Sequence, residues 1–258
     1  MSLFELRQQA SPLVISVPHD GGLIPDDIRS NMNPSVLNSS DRDYLINEVF
    51  KFDDWSYSKI KANYSRHVVD LNRPATGEAL YQDQAETELC PSTTFDHQAI
   101  YQTGYRLSQN EINRRIQLYW QPYHDQLRVL IDTAVNQFGF CLLIDAHSIN
   151  DQVPRFFTGV LPDINVGTFS GLSCDGHIER LLIDQLSAQN DFSFVSNDRF
   201  KGGFITRHYG QPSHHIHAIQ LEHAKSAYLD AELKMSDKGV ILRHLWRQSI
   251  NKMLKNLA

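Results

Sequence analysis

The sequence predicts an α/β fold in which a sheet lies between helical faces, in a single domain spanning residues 1–258. Three observations lead there: four short apolar runs bounded by polar or turn residues, helical stretches between them, and the absence of a Pro/Gly/Ser linker. With 258 residues, 41% of them hydrophobic, the chain can bury one substantial core.

The elements follow in order. LVISV at 13–17 reads as a core strand, stopped by the turn-forming cluster PHDGG. DYLINEVFKF, from Asp43, reads as a helix behind the Ser/Asp start SSD, and HVVDL at 67–71 as a second strand. The best-supported helix covers 109–138, where Ile112, Ile116, Tyr119, Tyr123, Leu127, Leu130 and Ala134 recur at steps of three and four. Pro122 should bend or divide it, and Gly139 should cap it. FCLLIDA at 140–146 is a third strand, HIERLLIDQLSAQ from His177 a helix, and FKGGFITRHYGQP at 200–212 a mobile loop around Gly202 and Gly203. HAIQLE at 217–222 is a fourth strand, and a last helix starts near Asp237.

Composition removes several function classes. A formal charge of −6 without any lysine- or arginine-rich block excludes nucleic acid as a partner. The three cysteines are scattered, which fits neither a disulfide framework nor a thiolate metal site and suits a reducing compartment. Neither an export signal nor a run of about 18 apolar residues is present, so a cytoplasmic protein without a membrane partner is expected. The sequence sets no oligomeric state.

Three of the expected strands end in polar groups: His19 after LVISV, Asn72 and Arg73 after HVVDL, and His147 after FCLLIDA. Ligands of open α/β sheets bind outside the carboxyl ends of the strands, so these groups can converge on one cleft. Two imidazoles and a carboxylate are a common ligand set for catalytic zinc, with a fourth position left for water. Asp20, Asp41 and Asp43 are all candidates for the acid; Asp41 and Asp43, in SSDRDYLINEVF, are also readable as ordinary helix caps. The short H-E-x-x-H pattern is absent.

SRHVVDLNRP, at 65–74, supplies anion recognition through Arg73 and Asn72, with Arg66 as a second cation. Asp70 would hold one of these side chains; a purely structural ion pair with Arg66 and Arg73 is the other reading. Glu222, at the end of an apolar strand, is placed to act as general base toward a metal-activated water. Asp145, two residues before His147, shares its strand face and suits a supporting carboxylate, with a structural role the equal alternative. Arg207 can bring a further cation over a bound anion, although a plain surface hairpin explains that segment equally well.

Taken together, SVPHDGG, DRDYLINEVF, RHVVDLNRP, LLIDAHSI, NDRFKGGFITRHYG and AIQLEHAKSAYLD resemble the N-formylglutamate amidohydrolase (N-formylglutamate deformylase) family over almost the whole chain. The resemblance implies a single phosphorylase/hydrolase-like, zinc-carboxypeptidase-like α/β domain with a mixed, mostly parallel sheet, shared with aspartoacylase. It also implies hydrolysis of N-formyl-L-glutamate to formate and L-glutamate, the last step of a histidine degradation route. Position by position, it makes His19 and His147 zinc ligands, Glu222 the general base and Arg66 the group that polarises the scissile carbonyl. Asn72, Arg73 and Arg207 would then bind substrate carboxylates. Zinc carboxypeptidases carry an acidic ligand three residues after the first histidine, where this chain has Gly22. The acid must come from elsewhere, and the resemblance assigns it to Asp43, at the position of the aspartate recurrent in deformylase-like sequences, with Asp41 in reserve; the metal is zinc, or cobalt or another divalent transition metal. Another N-acyl acidic amino acid as substrate, or carboxylate binding without catalysis, are the alternatives.

Overall fold

A computed structural model describes residues 2–37, 39–80 and 84–258. Its centre is one seven-stranded sheet in the order β1-β3-β2-β4-β7-β5-β6. The strands are β1 (Phe4–Arg7), β2 (Leu13–Val17), β3 (Ser58–Ala62), β4 (Cys141–Ile149), β5 (Ile164–Gly167), β6 (Phe194–Ser196) and β7 (Ile216–Ala224). β3, β2, β4 and β7 run parallel, β1 and β5 join them antiparallel, and β6 runs parallel to β5. The helices are α1 (Asp26–Arg29), α2 (Ile46–Val49), α3 (Gln109–Arg115), α4 (Gln121–Phe138), α5 (Gly176–Ser187), α6 (Phe204–Tyr209) and α7 (Asp237–Leu257). Among the described residues, no helix is long and apolar enough to cross a membrane.

Burial on both faces explains the continuous apolar strands. In β2, Leu13, Ile15 and Val17 join a core with α5 and α7, while Val14 faces the other way into a core with α4. The turn after β2 needs glycine because a Cβ on Gly21 would lie 2.5 Å from the Asn63 carbonyl carbon.

Two strand and helix expectations are corrected. Residues 67–71 are turns and irregular chain: the Val68 N–H donates to the Ser65 carbonyl and the Asp70 N–H to the Leu89 carbonyl. The place beside β2 belongs to β3, SKIKA, whose two lysines are only half-buried and conceal its strand pattern. Val68 instead enters a separate small core with Ile28, Met32 and Val36. The helix expected from Asp43 shrinks to the four residues of α2, because Leu45 adopts φ +58 just ahead of it. Asp20 accepts from the Leu45 and Asn47 N–H groups there.

The long helix holds with one modification. A five-residue π-helical turn, Ile116–Trp120, separates α3 from α4, and the Gln121 N–H reaches back to the Ile116 carbonyl just ahead of Pro122. Gly139 ends the run at φ +82. The segment expected as a mobile loop contains α6, whose first turn is tied to the sheet by hydrogen bonds described below.

His124 of α4 carries a stability prediction. Its Nε2–H donates to the Leu71 carbonyl at 2.9 Å, and Nδ1 pairs with the Tyr209 hydroxyl at 3.0 Å. Burial pushes its pKa down to about 3. A histidine held neutral in the fold contributes stability that is intact above about pH 6.5 and is lost as pH falls toward 3, because only the unfolded chain binds the proton. At pH 5 the loss is about 2 kcal/mol from this residue. His124→Gln should shrink the difference in urea unfolding free energy between pH 7 and pH 5 by that amount; an unchanged difference would refute it.

Candidate active site

The parallel alignment of β2, β4 and β7 delivers the chemistry to one edge of the sheet. His19 follows β2, while His147 on β4 and Glu222 on β7 are register partners. Asp43 enters from the turn before α2, its N–H donating to the His19 carbonyl at 3.1 Å. All four side chains are buried.

His19, Asp43 and His147 each offer one ligand atom, and these atoms lie within 4.8 Å of one another. Asp43 Oδ2 is 3.8 Å from His19 Nδ1 and 3.0 Å from His147 Nδ1. Tetrahedral ligands about 2 Å from a zinc ion stand about 3.3 Å apart, between those two separations. The imidazole centroids are 4.9 Å apart. His19 Nδ1 and Asp43 Oδ1 are buried without a hydrogen-bond partner among the described residues. Such orphaned atoms are costly unless something coordinates them, so the donor set fits a divalent ion.

The supporting contacts are specific. His19 Nε2 meets Asp70 Oδ1 at 2.8 Å, and Asp70 Oδ2 accepts from Arg66 Nη2 at 2.6 Å. Burial would raise Asp70, but the charges of Arg66 and His19 hold it well below the usual carboxylate range. Burial would likewise raise Asp43; the hydrogen bond from His147 and the charges of His19, His147 and Arg66 hold it down. His147 Nε2 lies 3.1 Å from Asp145, which with Asp43 pushes the ring well above the ordinary histidine value against the effect of burial.

The other two candidate acids stand apart from the cluster. Asp41 Oδ2 meets His67 Nε2 at 3.1 Å and accepts from the Phe95 N–H at 2.9 Å. Asp20 caps the α2 turn and pairs with Arg42 at 3.1 Å.

A cavity of about 70 Å³ opens above the cluster, with Arg66, Asn72, Arg73 and Glu222 in its wall. Arg66 Nη1 is 3.8 Å from Asp43 Oδ1, its guanidinium lies over the Phe95 ring, and its buried Nε has no hydrogen-bond partner among the described residues. Arg73 donates from Nε to the Thr87 carbonyl and from Nη1 to the Asn72 carbonyl. The Asn72 amide faces inward, with Nδ2 2.9 Å from His147 Nε2 and 3.2 Å from Asp145 Oδ2. Arg207 is not in the cavity wall; its guanidinium donates to the Gly202 and Leu80 carbonyls. Arg199, which the sequence did not single out, does line the cavity, beside Phe156 and Phe200.

Burial pushes Glu222 up to about 7, with the charge of His147 opposing the shift. A carboxyl poised there can both accept and return a proton near neutrality. Further support was not visible in the sequence. The Tyr228 hydroxyl bridges the Tyr44 carbonyl, next to Asp43, and Ser148 Oγ, next to His147, at 2.6 and 2.7 Å. Trp246 of α7 donates to His223 Nε2, and His223 Nδ1–H donates to the His147 carbonyl at 2.8 Å. Only the alternation of β7, which puts positions 218, 220 and 222 on one face, could have pointed to Gln220 in the cavity wall.

Comparison with known proteins supplies independent findings. Residues 11–229 match the family model of N-formylglutamate amidohydrolase. The chain is 42% identical over 229 residues to the N-formylglutamate deformylase of Pseudomonas putida, covering 88% of this chain and 85% of that protein. It is 39% identical over 247 residues to the N-formylglutamate deformylase of Pseudomonas aeruginosa, covering 95% and 92%. The crystal structure of N-formylglutamate amidohydrolase from Ralstonia eutropha JMP134 superposes with a TM-score of 0.82 at 21% identity, covering 100% of this chain and 99% of that one. At that identity the superposition establishes the shared fold.

Proposed function

The chain belongs to the N-formylglutamate amidohydrolase family, and from that premise we propose that it hydrolyses N-formyl-L-glutamate to formate and L-glutamate with a divalent ion, zinc by donor chemistry, as cofactor. The observation that carries this reading is the convergence of His19, Asp43 and His147 beside the buried Glu222, under a cavity walled by arginines. The proposal extends to a cytoplasmic enzyme closing a histidine degradation route.

His19, His147 and Asp43 would hold the ion, which would supply Lewis acidity toward water and the formyl oxygen. The protein's own groups do the remainder. Glu222 removes a proton from the attacking water and returns it to the departing glutamate nitrogen. The Arg66 guanidinium, held by Asp70, faces the negative charge that develops on the formyl oxygen. Asp70 and Asp145 fix the outer faces of His19 and His147. Arg73 anchors a substrate carboxylate at the cavity wall, and Asn72 donates to Asp145 Oδ2, holding the carboxylate that fixes His147.

The reading is tested by formate release from N-formyl-L-glutamate, compared with release of the acyl group from N-acetyl- and N-succinyl-L-glutamate, with zinc or cobalt supplied. The formyl substrate is expected to be preferred; faster turnover of a larger acyl group would overturn the assignment. Arg73→Met is expected to raise KM for N-formyl-L-glutamate by about tenfold or more, the worth of one charge-assisted hydrogen bond, with kcat less affected. An unchanged KM would take Arg73 out of substrate binding.

A further inference from the structure

Gln220 lies on β7 two residues before Glu222, on the same face of the strand, and is buried. Its Oε1 accepts from the Gly203 N–H at 2.7 Å, and its Nε2 donates to Glu222 Oε2 at 3.1 Å. A backbone N–H can only donate, so the Gly203 contact fixes which end of the side-chain amide is oxygen. The NH2 end is left facing the carboxylate. Asn72 is set in the same way: Oδ1 accepts from the Ile205 N–H at 2.8 Å, leaving Nδ2 to donate to Asp145 Oδ2 at 3.2 Å. The first turn of α6 thus aims two side-chain amides into the site. It can approach this closely because position 203 is glycine; a Cβ there would lie 2.4 Å from Asn72 Nδ2.

Resting on the reading of Glu222 as general base, we propose that Gln220 is a positioning residue that holds the Glu222 carboxylate on the reacting water, using the Gly203 N–H as its fixed reference. A glutamate side chain has several rotamers, and a carboxylate at the edge of a cavity sits in one of them only when something restrains it. The hydrogen bond to an ionised acceptor provides that restraint, and it comes from a rigid neighbour in the same strand. Substrate carboxylates are bound by other groups, so loss of Gln220 should act on kcat and leave KM in place.

Gln220→Leu tests this, because it removes the amide donor toward Glu222 without placing a second carboxyl beside it. With N-formyl-L-glutamate, it is expected to lower kcat about tenfold or more and to change KM by less than about twofold. In a Glu222→Gln background, the same substitution should change the residual rate by less than about twofold, since a residue acting through the base has nothing left to position. Equal losses in both backgrounds would overturn the proposal. A crystal structure of Gln220→Leu gives a readout independent of turnover: the Glu222 carboxylate should move by about 1 Å or more from its wild-type position, and an unmoved carboxylate also overturns it. A wild-type protein inactive on every N-acyl-glutamate, together with a displaced carboxylate in the Leu variant, would sink the substrate assignment and leave the positioning role intact.

Discussion

Glu222→Gln is expected to lower kcat on N-formyl-L-glutamate by about 100-fold or more while divalent-ion content stays at the wild-type level. The magnitude is that of removing a general base, about 10²–10⁴ in rate. Glutamine preserves the shape of the side chain, and Glu222 is not part of the three-residue ligand cluster, so folding and ion content should survive. Substrate affinity should change little, because Arg73 and not Glu222 carries the expected anion contact. The wild-type rate should also rise with pH as Glu222 loses its proton, and burial places that ionisation near 7 before the field of a bound cation lowers it. The variant should lack this rise. Stopped assays of formate release, with ion content measured on the same samples, decide the matter; near-wild-type kcat would remove Glu222 from the role.

The larger effect is expected from Asp43→Ala. Asp43 supplies the only carboxylate in the cluster of possible ion ligands found among the described residues. Its Oδ2 also accepts from the Ser148 N–H at 3.1 Å, which ties its position to that of His147. Without it, two imidazoles remain where three protein ligands are needed, and the bound ion should be lost on gel filtration. Lewis-acid stabilisation is worth several kcal/mol, so turnover should fall by about 10³-fold or more. Asp41→Asn is the control, since Asp41 is engaged with His67 and the Phe95 N–H. Retained ion in Asp43→Ala with loss in Asp41→Asn would transfer the ligand role to Asp41.

How much of this was legible beforehand depended on whether a signal was local. The strands at 13–17, 140–146 and 217–222 were readable because burial on both faces demands unbroken apolar runs, and the structure places β2, β4 and β7 there. The long helix was readable from its period, and Pro122 from its missing N–H, although the π-helical form of the interruption was not. HVVDL misled because its apolar content matches a strand, whereas its valines fill different cores and its backbone turns. β3 escaped because two lysines occupy its half-exposed face. The helix expected from Asp43 failed at Leu45, whose left-handed backbone is stabilised by Asp20 from 25 residues away.

By itself, the amino-acid sequence determined the α/β class, the alternation that sends polar residues to the ends of parallel strands, and the residue types capable of hydrolytic chemistry. Periodicity and strand-end position are properties of neighbouring residues, so they survive in one dimension. Only the tertiary structure set Asp43, which the resemblance had already favoured, against both imidazoles, brought Arg199 rather than Arg207 to the cavity wall, and set the Gln220 amide between Gly203 and Glu222. Those choices turn on separations of a few ångströms between segments remote in the chain, and local patterning carries no record of such distances.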